Sequence, residues 1–368
     1  MKVTHLFLHD DLNFNKPLFL LLNGPDFAND DLQNIFVTTC PRVYDALKKY
    51  GDNIYLTQKK GADIFNSYGM QTDWIVVHAL NCHRKDVLRI KKNIAKKIIW
   101  RTWGHDLIDY ASYTKYPKKL IEPIYNYWYV RKVRRFWGIG LGFKYDLLLI
   151  RRLFGNMNTF LLPYRNPDPS IYKDLDLSQK ESGETRIMVG HSGCPILNHV
   201  AILNALSAYK NENLKICLIL SYGCDQAYHD EVTQCAFDLF GKEKVEIIED
   251  YMELKQYIAY LNTIDVAIFD VAGSAALGNV TKLLHLKKKL FFKRNSFFDD
   301  VMHRENIDFG YTDEIGKISY SSLIKPMENV ENALHFTSFL DDSKHATKLW
   351  KQLFCKLESG ENLGKSKI

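Results

Sequence analysis

The sequence has no long uninterrupted hydrophobic run, so it offers no segment that could cross a membrane. A membrane-spanning helix needs about 20 consecutive apolar residues. The longest apolar stretches, 18–22 and 143–150, are short or carry charge. The first residues have neither the long apolar stretch nor the small-residue cleavage site of a secretory signal. We therefore expect a protein that neither spans a bilayer nor is exported.

Cysteine is scarce and does not occur in metal-binding or disulfide patterns. There are seven cysteines, an odd number, and none forms a Cys-x-x-Cys pair, which favours a reducing compartment and argues against structural zinc. The only Asp-x-Asp, 174–176, lies in a polar segment, and the Gly-Lys-Ser/Thr end of a P-loop is missing. The sequence thus disfavours ATP hydrolysis and metal-dependent transfer, and it predicts no bound metal and no cofactor.

The composition is that of an ordinary globular protein large enough for two domains. The chain has 368 residues, of which 46% are hydrophobic and 25% charged. Residues 166–185 are polar and begin with two closely spaced prolines, as interdomain linkers do. We predict domains at 1–165 and 186–340, joined by this linker and followed by a C-terminal helix and tail at 341–368.

Apolar runs and helical patterns alternate along both halves, which predicts an α/β protein with parallel sheets. In the second half the predicted strands are 187–189, 216–220, 245–248, 266–269 and 290–293. In the first half they are 4–8, 18–22, 53–56, 74–77 and 98–100. The fold class expected from this pattern is two Rossmann-like domains whose parallel sheets face a cleft, with the C-terminal helix packing back.

Positive charge is concentrated in residues 84–152, which contain 18 Lys or Arg against five acids. Within this region, residues 123–137 form an amphipathic pattern in helical spacing, with aromatic residues on one face and arginines on the other. Such a helix either lies in a lipid interface or simply faces a protein core. The candidate acceptor or membrane contacts are Arg101, Trp128, Arg131, Arg134 and Arg135. Signatures of RNA-binding modules are missing, so we expect no nucleic-acid partner.

Ligands of open parallel sheets bind beyond the carboxyl ends of the strands, and small or polar residues follow several predicted strands. Glycine-rich turns let backbone N–H groups approach a phosphate at the positive end of a helix. Glu249 at another strand end could hold ribose hydroxyls, and the ring of Tyr222 could stack on a base. The candidate donor-binding residues at these turns are Gly190, His191, Ser192, Gly193, Tyr222, Gly223, Glu249, Gly278, Asn279, Thr281 and Lys282.

Three titratable residues follow predicted strands of the first half and are candidates for a general base. His78 ends one strand, and His105 and Asp106 follow another. A histidine or carboxylate near the reacting carbon could accept the proton of an attacking hydroxyl. The alternative is that a histidine on an apolar strand is an ordinary core residue.

Several segments together resemble the bacterial TDP-N-acetylfucosamine:lipid II N-acetylfucosaminyltransferases, a family that includes 4-alpha-L-fucosyltransferases. The first is Ile98-Ile99-Trp100-Arg101-Thr102-Trp103-Gly104-His105-Asp106-Leu107. The others are Ile187-Met188-Val189-Gly190-His191-Ser192-Gly193 with His199, Val266-Ala267-Ile268-Phe269 with Ala276-Leu277-Gly278-Asn279, and 291–302. The resemblance extends over residues 74–302, and it adds His199 to the candidate donor-binding residues.

The resemblance implies a GT-B glycosyltransferase that is peripheral on the cytoplasmic face of the inner membrane. It would move a deoxy or deoxyamino sugar of the fucose type from a nucleotide, TDP by resemblance, to an undecaprenyl-diphosphate-linked glycan. The pathway would be surface polysaccharide synthesis of the enterobacterial common antigen or O-antigen kind. Two alternatives stay open: a non-catalytic module that binds anionic lipid or RNA through residues 84–152, and a nucleotide-sugar hydrolase or epimerase.

Overall fold

In the computed structural model the chain forms two compact units. The first unit comprises Met1–Asn166 and Asp342–Ile368, and the second comprises Pro167–Asp341. The residues that the structure describes are 1–28, 31–80, 82–103, 106–107, 122–163, 172, 183–338 and 344–360. The predicted linker, 166–185, lies largely outside these residues.

The first unit is built on a parallel sheet of seven strands with the order β3-β2-β1-β4-β5-β6-β7. Its strands are β1 (Lys2–Phe7), β2 (Gln33–Thr38), β3 (Ile54–Leu56), β4 (Trp74–His78), β5 (Ile98–Arg101), β6 (Gly138–Leu141) and β7 (Thr159–Leu161). Every pair of neighbouring strands is parallel. The strand order reverses at β1, as it does in Rossmann folds.

Helices cover both faces of this sheet. They are α1 (Leu12–Leu22), α2 (Pro41–Lys48), α3 (Ala62–Gly69), α4 (Arg84–Arg89), α5 (Lys92–Ala95), α6 (Glu122–Val133), α7 (Asp146–Phe154) and, at the end of the chain, α15 (His345–Ser359). A 3-10 turn occupies Pro25–Phe27. The apolar side of α15 completes the core on one face, where Trp350 is fully buried with Phe7 and Phe36. The predicted C-terminal helix therefore belongs to the first unit.

One predicted strand is wrong, because residues 18–22 form the second half of α1. Leu18, Phe19, Leu21 and Leu22 are all buried against the sheet. A continuous apolar run of this length fits a buried strand and a buried helix equally well, so periodicity does not separate them. Strands β2, β6 and β7 were not among the predicted strands, and the sheet is correspondingly wider than the sequence indicates.

The aromatic face of the predicted amphipathic helix is turned inward. Tyr129 and Val133 of α6 and the following Phe136 are buried in the core of the first unit. Trp137 stacks on Phe160 with ring centroids 5.1 Å apart. The core-facing alternative is therefore correct for this face, and a lipid surface would meet only the outward side of α6.

The second unit contains a parallel sheet of six strands with the order β10-β9-β8-β11-β12-β13. Its strands are β8 (Thr185–Val189), β9 (Leu214–Ile219), β10 (Val245–Ile248), β11 (Val266–Phe269), β12 (Lys289–Phe292) and β13 (Gly310–Tyr311). All five strands predicted in this half are confirmed, and β13 is an addition at the edge. The order again reverses, here at β8, so that β8 and β11 lie side by side in the middle of the sheet.

Helices pack on both faces of the second sheet as well. They are α8 (His199–Leu206), α9 (Gln226–Phe240), α10 (Leu254–Thr263), α11 (Leu277–His285), α12 (Phe297–Arg304), α13 (Tyr320–Leu323) and α14 (Val330–Thr337). Short 3-10 turns occupy Pro195–Leu197, Ser207–Tyr209, Lys242–Lys244 and Thr312–Glu314. In the part of the chain that the structure describes, no helix is long and apolar enough to span a membrane.

Two buried histidines lead us to expect that the first unit is sensitive to acid. His5 and His78 are fully buried, with His5 Nδ1 3.1 Å from His78 Nε2, and burial lowers the pKa of His5 to about 4. An unfolded histidine titrates near its ordinary value of about 6.5, so the unfolded chain binds more protons than the folded chain between these two pH values. The contribution of neutral His5 to the free energy of unfolding is therefore fully present above about pH 6.5. It is lost as the pH drops towards about 4.

We expect the free energy of unfolding to fall by about 2 kcal/mol from His5 alone between about pH 7.5 and about pH 5. Denaturant unfolding across this range measures the effect, and the variant His5→Gln should flatten the pH dependence. His303 has an exposed side chain, so His303→Gln serves as the matched control and should leave the slope unchanged. An equal slope in wild type and His5→Gln would contradict the assignment.

Candidate functional site

Most of the predicted donor-binding residues lie at the carboxyl edge of the second sheet, where β8 and β11 are neighbours. Residues 190–194 follow β8, residues 221–224 follow β9, and residues 270–276 lead from β11 into α11. Ends of adjacent parallel strands meet at one edge of a sheet. The sequence motifs are thus gathered into one group of loops.

The turn after β8 is shaped by Gly190, which has a φ of 70° in the left-handed region. A Cβ atom at this position would lie 2.6 Å from His199 Nε2, so a larger residue would displace the histidine. His199 is buried at the start of α8, its Nδ1 lies 3.3 Å from the Tyr228 hydroxyl, and burial lowers its pKa to about 4. His199 therefore packs against the turn at Gly190 as a buried, neutral side chain.

The turns after β8 and β9 are packed against each other. The backbone N–H of Gly193 donates to the Tyr222 carbonyl at 2.8 Å, and a Cβ at Gly193 would lie 2.2 Å from Cys224 Sγ. Ser192 is buried, whereas Tyr222 is 56% exposed. Gly223 has a φ of 93°. This arrangement leaves the Tyr222 ring on the surface next to the glycine-rich turn, where a planar group could stack on it.

The start of α11 is open to solvent on the side of the same loops. Among the described residues, a Cβ at Gly278 would meet only the Lys282 ammonium group, at 3.6 Å. The side-chain oxygen of Asn279 accepts a hydrogen bond from the partly buried Tyr257 hydroxyl at 2.8 Å, and the Thr281 hydroxyl donates to the Leu277 carbonyl at 3.0 Å. Asn279 and Thr281 thus fix the first turn, while Gly278 leaves room for a ligand at the positive end of the helix.

Two titratable side chains lie near this helix end. Lys282 donates to the Gly278 carbonyl at 2.7 Å, and burial lowers its pKa to about 8. Burial also lowers the pKa of His191 to about 4, with smaller electrostatic contributions from His199 and Lys282. His191 Nδ1 is buried and has no hydrogen-bond partner among the residues that the structure describes. An anion bound here would be met by one ammonium group, one neutral imidazole and the helix dipole.

An aspartate that was not among the predicted site residues ties these loops together. Asp270 directly follows β11; its side chain accepts hydrogen bonds of 2.7 Å from Asn198 and from Thr312. The ammonium group of Lys293, which follows β12, lies 3.6 Å from it. The signal was present in the sequence, because both Asp270 and Lys293 stand at the end of a predicted strand. Lys293 brings a second positive charge to the same edge of the sheet.

Glu249 lies apart from this group, after the edge strand β10. Its carboxylate is 67% exposed and lies 3.1 Å from His229 Nε2 of α9. The strand order separates β10 from β8 by β9. A role in holding ribose remains a prediction for Glu249, and the structure gives its carboxylate the contact with His229.

The predicted general bases of the first unit are placed very differently. His78 is completely buried at the end of β4, its ring lies 6.1 Å from that of Trp350, and burial holds its pKa well below the ordinary value. An acceptor hydroxyl cannot reach a side chain enclosed in this way, so the position of His78 argues against a catalytic role. His105 lies outside the described residues.

Asp106 and Arg101 hold the loops at the carboxyl edge of the first sheet. Asp106 accepts three hydrogen bonds, from the backbone N–H of Leu80 and of Trp103 and from the indole of Trp100. Arg101 is buried and donates from Nε to the Leu162 carbonyl at 2.9 Å. These contacts make both residues parts of the loop framework, and burial removes Arg101 from any membrane surface.

The outward side of α6 carries the remaining candidate contacts. Trp128 is 52% exposed, and the Arg131 guanidinium lies 5.9 Å from its ring centroid. Leu88, Trp128, Arg131, Lys132 and Arg135 line a shallow groove at this surface. Arg134 points elsewhere and donates to the Phe154 carbonyl at 2.8 Å. Three of the predicted contacts, Trp128, Arg131 and Arg135, are therefore together.

No three His, Cys, Asp or Glu side chains come close enough to hold a metal ion within the described parts of the chain. Asp106 and Asp270 are instead engaged with basic or amide side chains and backbone N–H groups. That the enzyme needs no divalent ion stays a prediction, and an activity assay tests it.

A family model, the 4-alpha-L-fucosyltransferase glycosyl transferase group 56, matches residues 70–349. The chain belongs to this family. It is therefore a glycosyltransferase of the fucosyltransferase family, as the resemblance in the sequence indicates. The matched range includes both groups of sheet-edge residues described above, from His78 in the first unit to Lys293 in the second.

Solved structures agree with this family in their fold. A glycosyltransferase from Rickettsia africae aligns with a TM-score of 0.67 at 9% identity over 98% of this chain and 99% of its own. Anabaena HepE, in complex with UDP and glucose, aligns with a TM-score of 0.66 at 10% identity over 96% and 99%. Sucrose-phosphate synthase from Thermosynechococcus elongatus gives 0.63 at 10% identity over 98% and 100%.

These neighbours establish that this fucosyltransferase-family protein has the GT-B fold, as predicted. Nothing in the comparisons supports the alternative of a non-catalytic module that binds lipid or RNA. At identities near 10% the structural likeness extends to the fold alone.

Proposed function

We propose that this protein transfers a sugar of the fucose type, deoxy or deoxyamino, from a nucleoside diphosphate to a lipid-linked glycan. TDP is the donor nucleotide that the sequence resemblance favours. Undecaprenyl diphosphate is the carrier expected for the acceptor, and the product would serve surface polysaccharide synthesis of the enterobacterial common antigen or O-antigen type. The enzyme would work as a peripheral protein on the cytoplasmic face of the inner membrane.

The observation that carries the proposal is the open first turn of α11 beside Lys282. A diphosphate placed over Gly278 would meet the positive helix end and the ammonium group of Lys282, which donates to the Gly278 carbonyl. The unpartnered Nδ1 of His191 could donate a further hydrogen bond. The structure of HepE contains UDP and glucose, which supports a nucleotide-sugar donor for a protein of this fold.

These groups act on the leaving diphosphate. As the bond between the anomeric carbon and the phosphate oxygen lengthens, negative charge grows on the diphosphate, and Lys282 and the α11 dipole stabilise it. Donors held in place before the reaction cost no reorganisation when the charge develops. Because Lys282, Lys293 and the helix end supply positive charge, we propose that no divalent ion is needed.

The test is a transfer assay with a TDP-linked fucose-type sugar and a prenyl-diphosphate-linked sugar, run in EDTA. We expect glycosylated lipid only when both substrates are present, and a higher melting temperature with TDP but not with RNA. Release of free sugar without an acceptor would favour a hydrolase instead. Activity that is lost in EDTA and restored by magnesium would contradict the metal-independent part alone.

We further propose that the outward side of α6 contacts the membrane. An exposed tryptophan beside arginine is the combination found at lipid headgroup level, and Trp128 and Arg131 lie together in the groove described above. Each basic residue near an anionic bilayer contributes about 1 kcal/mol. The basic character of residues 84–152 as a whole adds attraction over a longer range.

We expect Trp128→Ala with Arg131→Ala to weaken binding to vesicles of anionic phospholipid by about 10-fold or more. Co-sedimentation at low and high salt measures the affinity, and wild-type binding should fall as salt rises. Arg304→Ala is the matched control, since Arg304 is a half-exposed arginine on α12. Undiminished binding of the double variant would contradict the assignment of this surface.

A further inference from the structure

A second cluster of titratable side chains lies at the carboxyl edge of the first sheet. Arg101 is the last residue of β5, Asp106 follows it, and Asp146 is the first residue of α7, which follows β6. Strands β5 and β6 pair directly, so their ends meet at this edge. The charges of Arg101 and Asp106 both act on the carboxyl group of Asp146.

Two members of the cluster are fully engaged in holding it in place. Asp106 accepts the three hydrogen bonds described above, and Arg101 donates to the carbonyls of Leu162 and Thr102. The loop after β6 closes over the guanidinium at Gly142, where a Cβ would lie 2.9 Å from Arg101 Nη2. Both side chains therefore have defined positions before any ligand arrives.

Asp146 differs from its neighbours. Its side chain is only 6% exposed, yet no residue in the described part of the chain donates a hydrogen bond to its carboxylate or forms a close ion pair with it. A buried carboxylate without donors is costly, and such groups in native proteins call for an explanation. A ligand hydroxyl that donates to Asp146 would supply the missing partner.

The protonation behaviour of Asp146 fits a proton acceptor. Burial raises its pKa to about 7; the charge of Arg101 lowers it and that of Asp106 raises it further. A carboxyl group with a pKa near the working pH is present in large part as the base and still holds a proton well once it has taken one. Because the positive charge of Arg101 lowers the pKa of Asp146, removing that charge would raise this pKa further above its ordinary value.

Aromatic side chains at the same edge provide a surface for a sugar. The ring of Trp103 stacks on that of His9, which follows β1, at 5.0 Å and lies 4.6 Å from the ring of Phe14. Phe14 is 38% exposed. The backbone N–H of Trp103 donates to Asp106, and the charge of Asp106 acts on Asp146. Ring faces next to a few convergent polar groups are typical of small-molecule sites.

We propose that Asp146 is the general base that deprotonates the acceptor hydroxyl in the transfer reaction, an inference that rests on the proposed function. The hydroxyl oxygen forms a bond to the anomeric carbon of the donor sugar, and its proton moves to an oxygen of the Asp146 carboxylate. The bond from the anomeric carbon to the diphosphate oxygen breaks, and its electron pair leaves with the nucleoside diphosphate. Arg101 and Asp106 are positioning residues for this base.

The test compares Asp146→Asn with wild type in the TDP-sugar transfer assay described above. We expect kcat to fall by about 100-fold or more, the loss typical of a missing general base, while the shift of melting temperature by TDP stays the same. In wild type, kcat should rise with pH through about 7 as the carboxyl group loses its proton. The residual activity of Asp146→Asn should lack this rise. Asp63→Asn, an exposed aspartate in the first turn of α3, is the control and should keep full activity.

A measurement of stability separates a base from a structural carboxylate. Because the folded pKa lies above the unfolded value, the carboxylate destabilises the protein increasingly as the pH rises from about 4 to about 7. At about pH 8, Asp146→Asn should therefore melt at the same temperature as wild type or higher. A clearly lower melting temperature would indicate a structural partner of Arg101 and would overturn the proposal.

The remaining outcomes are also decisive. Full transfer by Asp146→Asn, with wild type active, overturns the assignment of the base and leaves the proposed function standing. Wild type that neither binds TDP nor forms product removes the proposed function and the inference with it. Loss of transfer with TDP binding and stability retained supports both.

Discussion

Replacing Lys282 by alanine should lower kcat/KM for the nucleotide sugar by about 100-fold or more. The reason is that the Lys282 ammonium group stands beside the open first turn of α11, where we place the diphosphate of the donor. Removing one fixed donor from a site of developing negative charge costs about 3 to 4 kcal/mol in enzymes that have been dissected this way. Steady-state kinetics with the donor varied would measure the loss.

The pH dependence of donor binding is a second test of the role proposed for Lys282. Burial lowers the pKa of Lys282 to about 8, so the free protein loses this positive charge as the pH rises through that value. A diphosphate binds the protonated form, and its affinity should therefore decline above about pH 8 in wild type. In Lys282→Ala the affinity should already be low, and this part of the decline should disappear.

The control for Lys282 is Lys255→Ala, which removes an exposed lysine from the neighbouring helix α10. This variant should keep wild-type kinetics. Melting temperatures of both variants verify that the fold is retained. If Lys282→Ala transferred sugar as efficiently as wild type, the diphosphate would have to bind elsewhere, and the proposed role of the α11 terminus would be wrong.

Replacing Trp350 by alanine should cost the first unit about 3 to 5 kcal/mol of stability. Trp350 is fully buried, packs on the rings of His5 and Phe354, and donates from its indole to the Pro163 carbonyl at 2.9 Å. Alanine would leave a large cavity and would also remove the indole donor from the partly buried Pro163 carbonyl. Denaturant unfolding followed by fluorescence would measure the change.

The matched control for this variant is Trp128→Ala. Trp128 is the same residue type on an exposed helix surface, and its loss should change stability by less than about 0.5 kcal/mol. Because the chain has two compact units, unfolding in two steps is expected, and only the step of the first unit should move. A shift of less than about 1 kcal/mol for Trp350→Ala would contradict the packing described for α15.

The second unit could be predicted almost completely from its sequence, because each strand is a short apolar run followed by a small or polar residue. Val266–Phe269 is such a run, and Asp270 follows it. The same rule locates the turns at Gly190 and Gly278. It does not assign roles within them: His199 turns out to be a buried support, while Lys282 stands at the open helix end.

The strands of the first unit are harder to predict from the sequence, because their apolar runs are shorter or are interrupted. Strand β6 is Gly138-Ile139-Gly140-Leu141, and two glycines among four residues do not indicate a strand when only the sequence is considered. They are needed instead for packing, since a Cβ at Gly140 would lie 2.6 Å from Leu162 Cδ1. Strand propensity scales penalise glycine, so a strand of this kind is visible only once its neighbours are known.

The direction of a side chain at a strand end also depends on distant parts of the chain. Side chains alternate along β4, so His78 lies on the same face of the sheet as Val76. That face is covered by α15, where Trp350 encloses His78. The sequence does not predict Asp146 as a site residue. Nothing in its sequence context distinguishes a buried aspartate from the exposed acids that commonly begin helices.

The return of α15 to the first unit has a consequence for how the protein is made. Residues 1–163 emerge from the ribosome long before His345–Ser359 has been synthesised. The surface of the first sheet that Trp350 covers therefore stays exposed while the second sheet is made and folds. Exposed apolar surface of this kind recruits chaperones or promotes aggregation. A fragment made from the first segment alone would keep that surface permanently open.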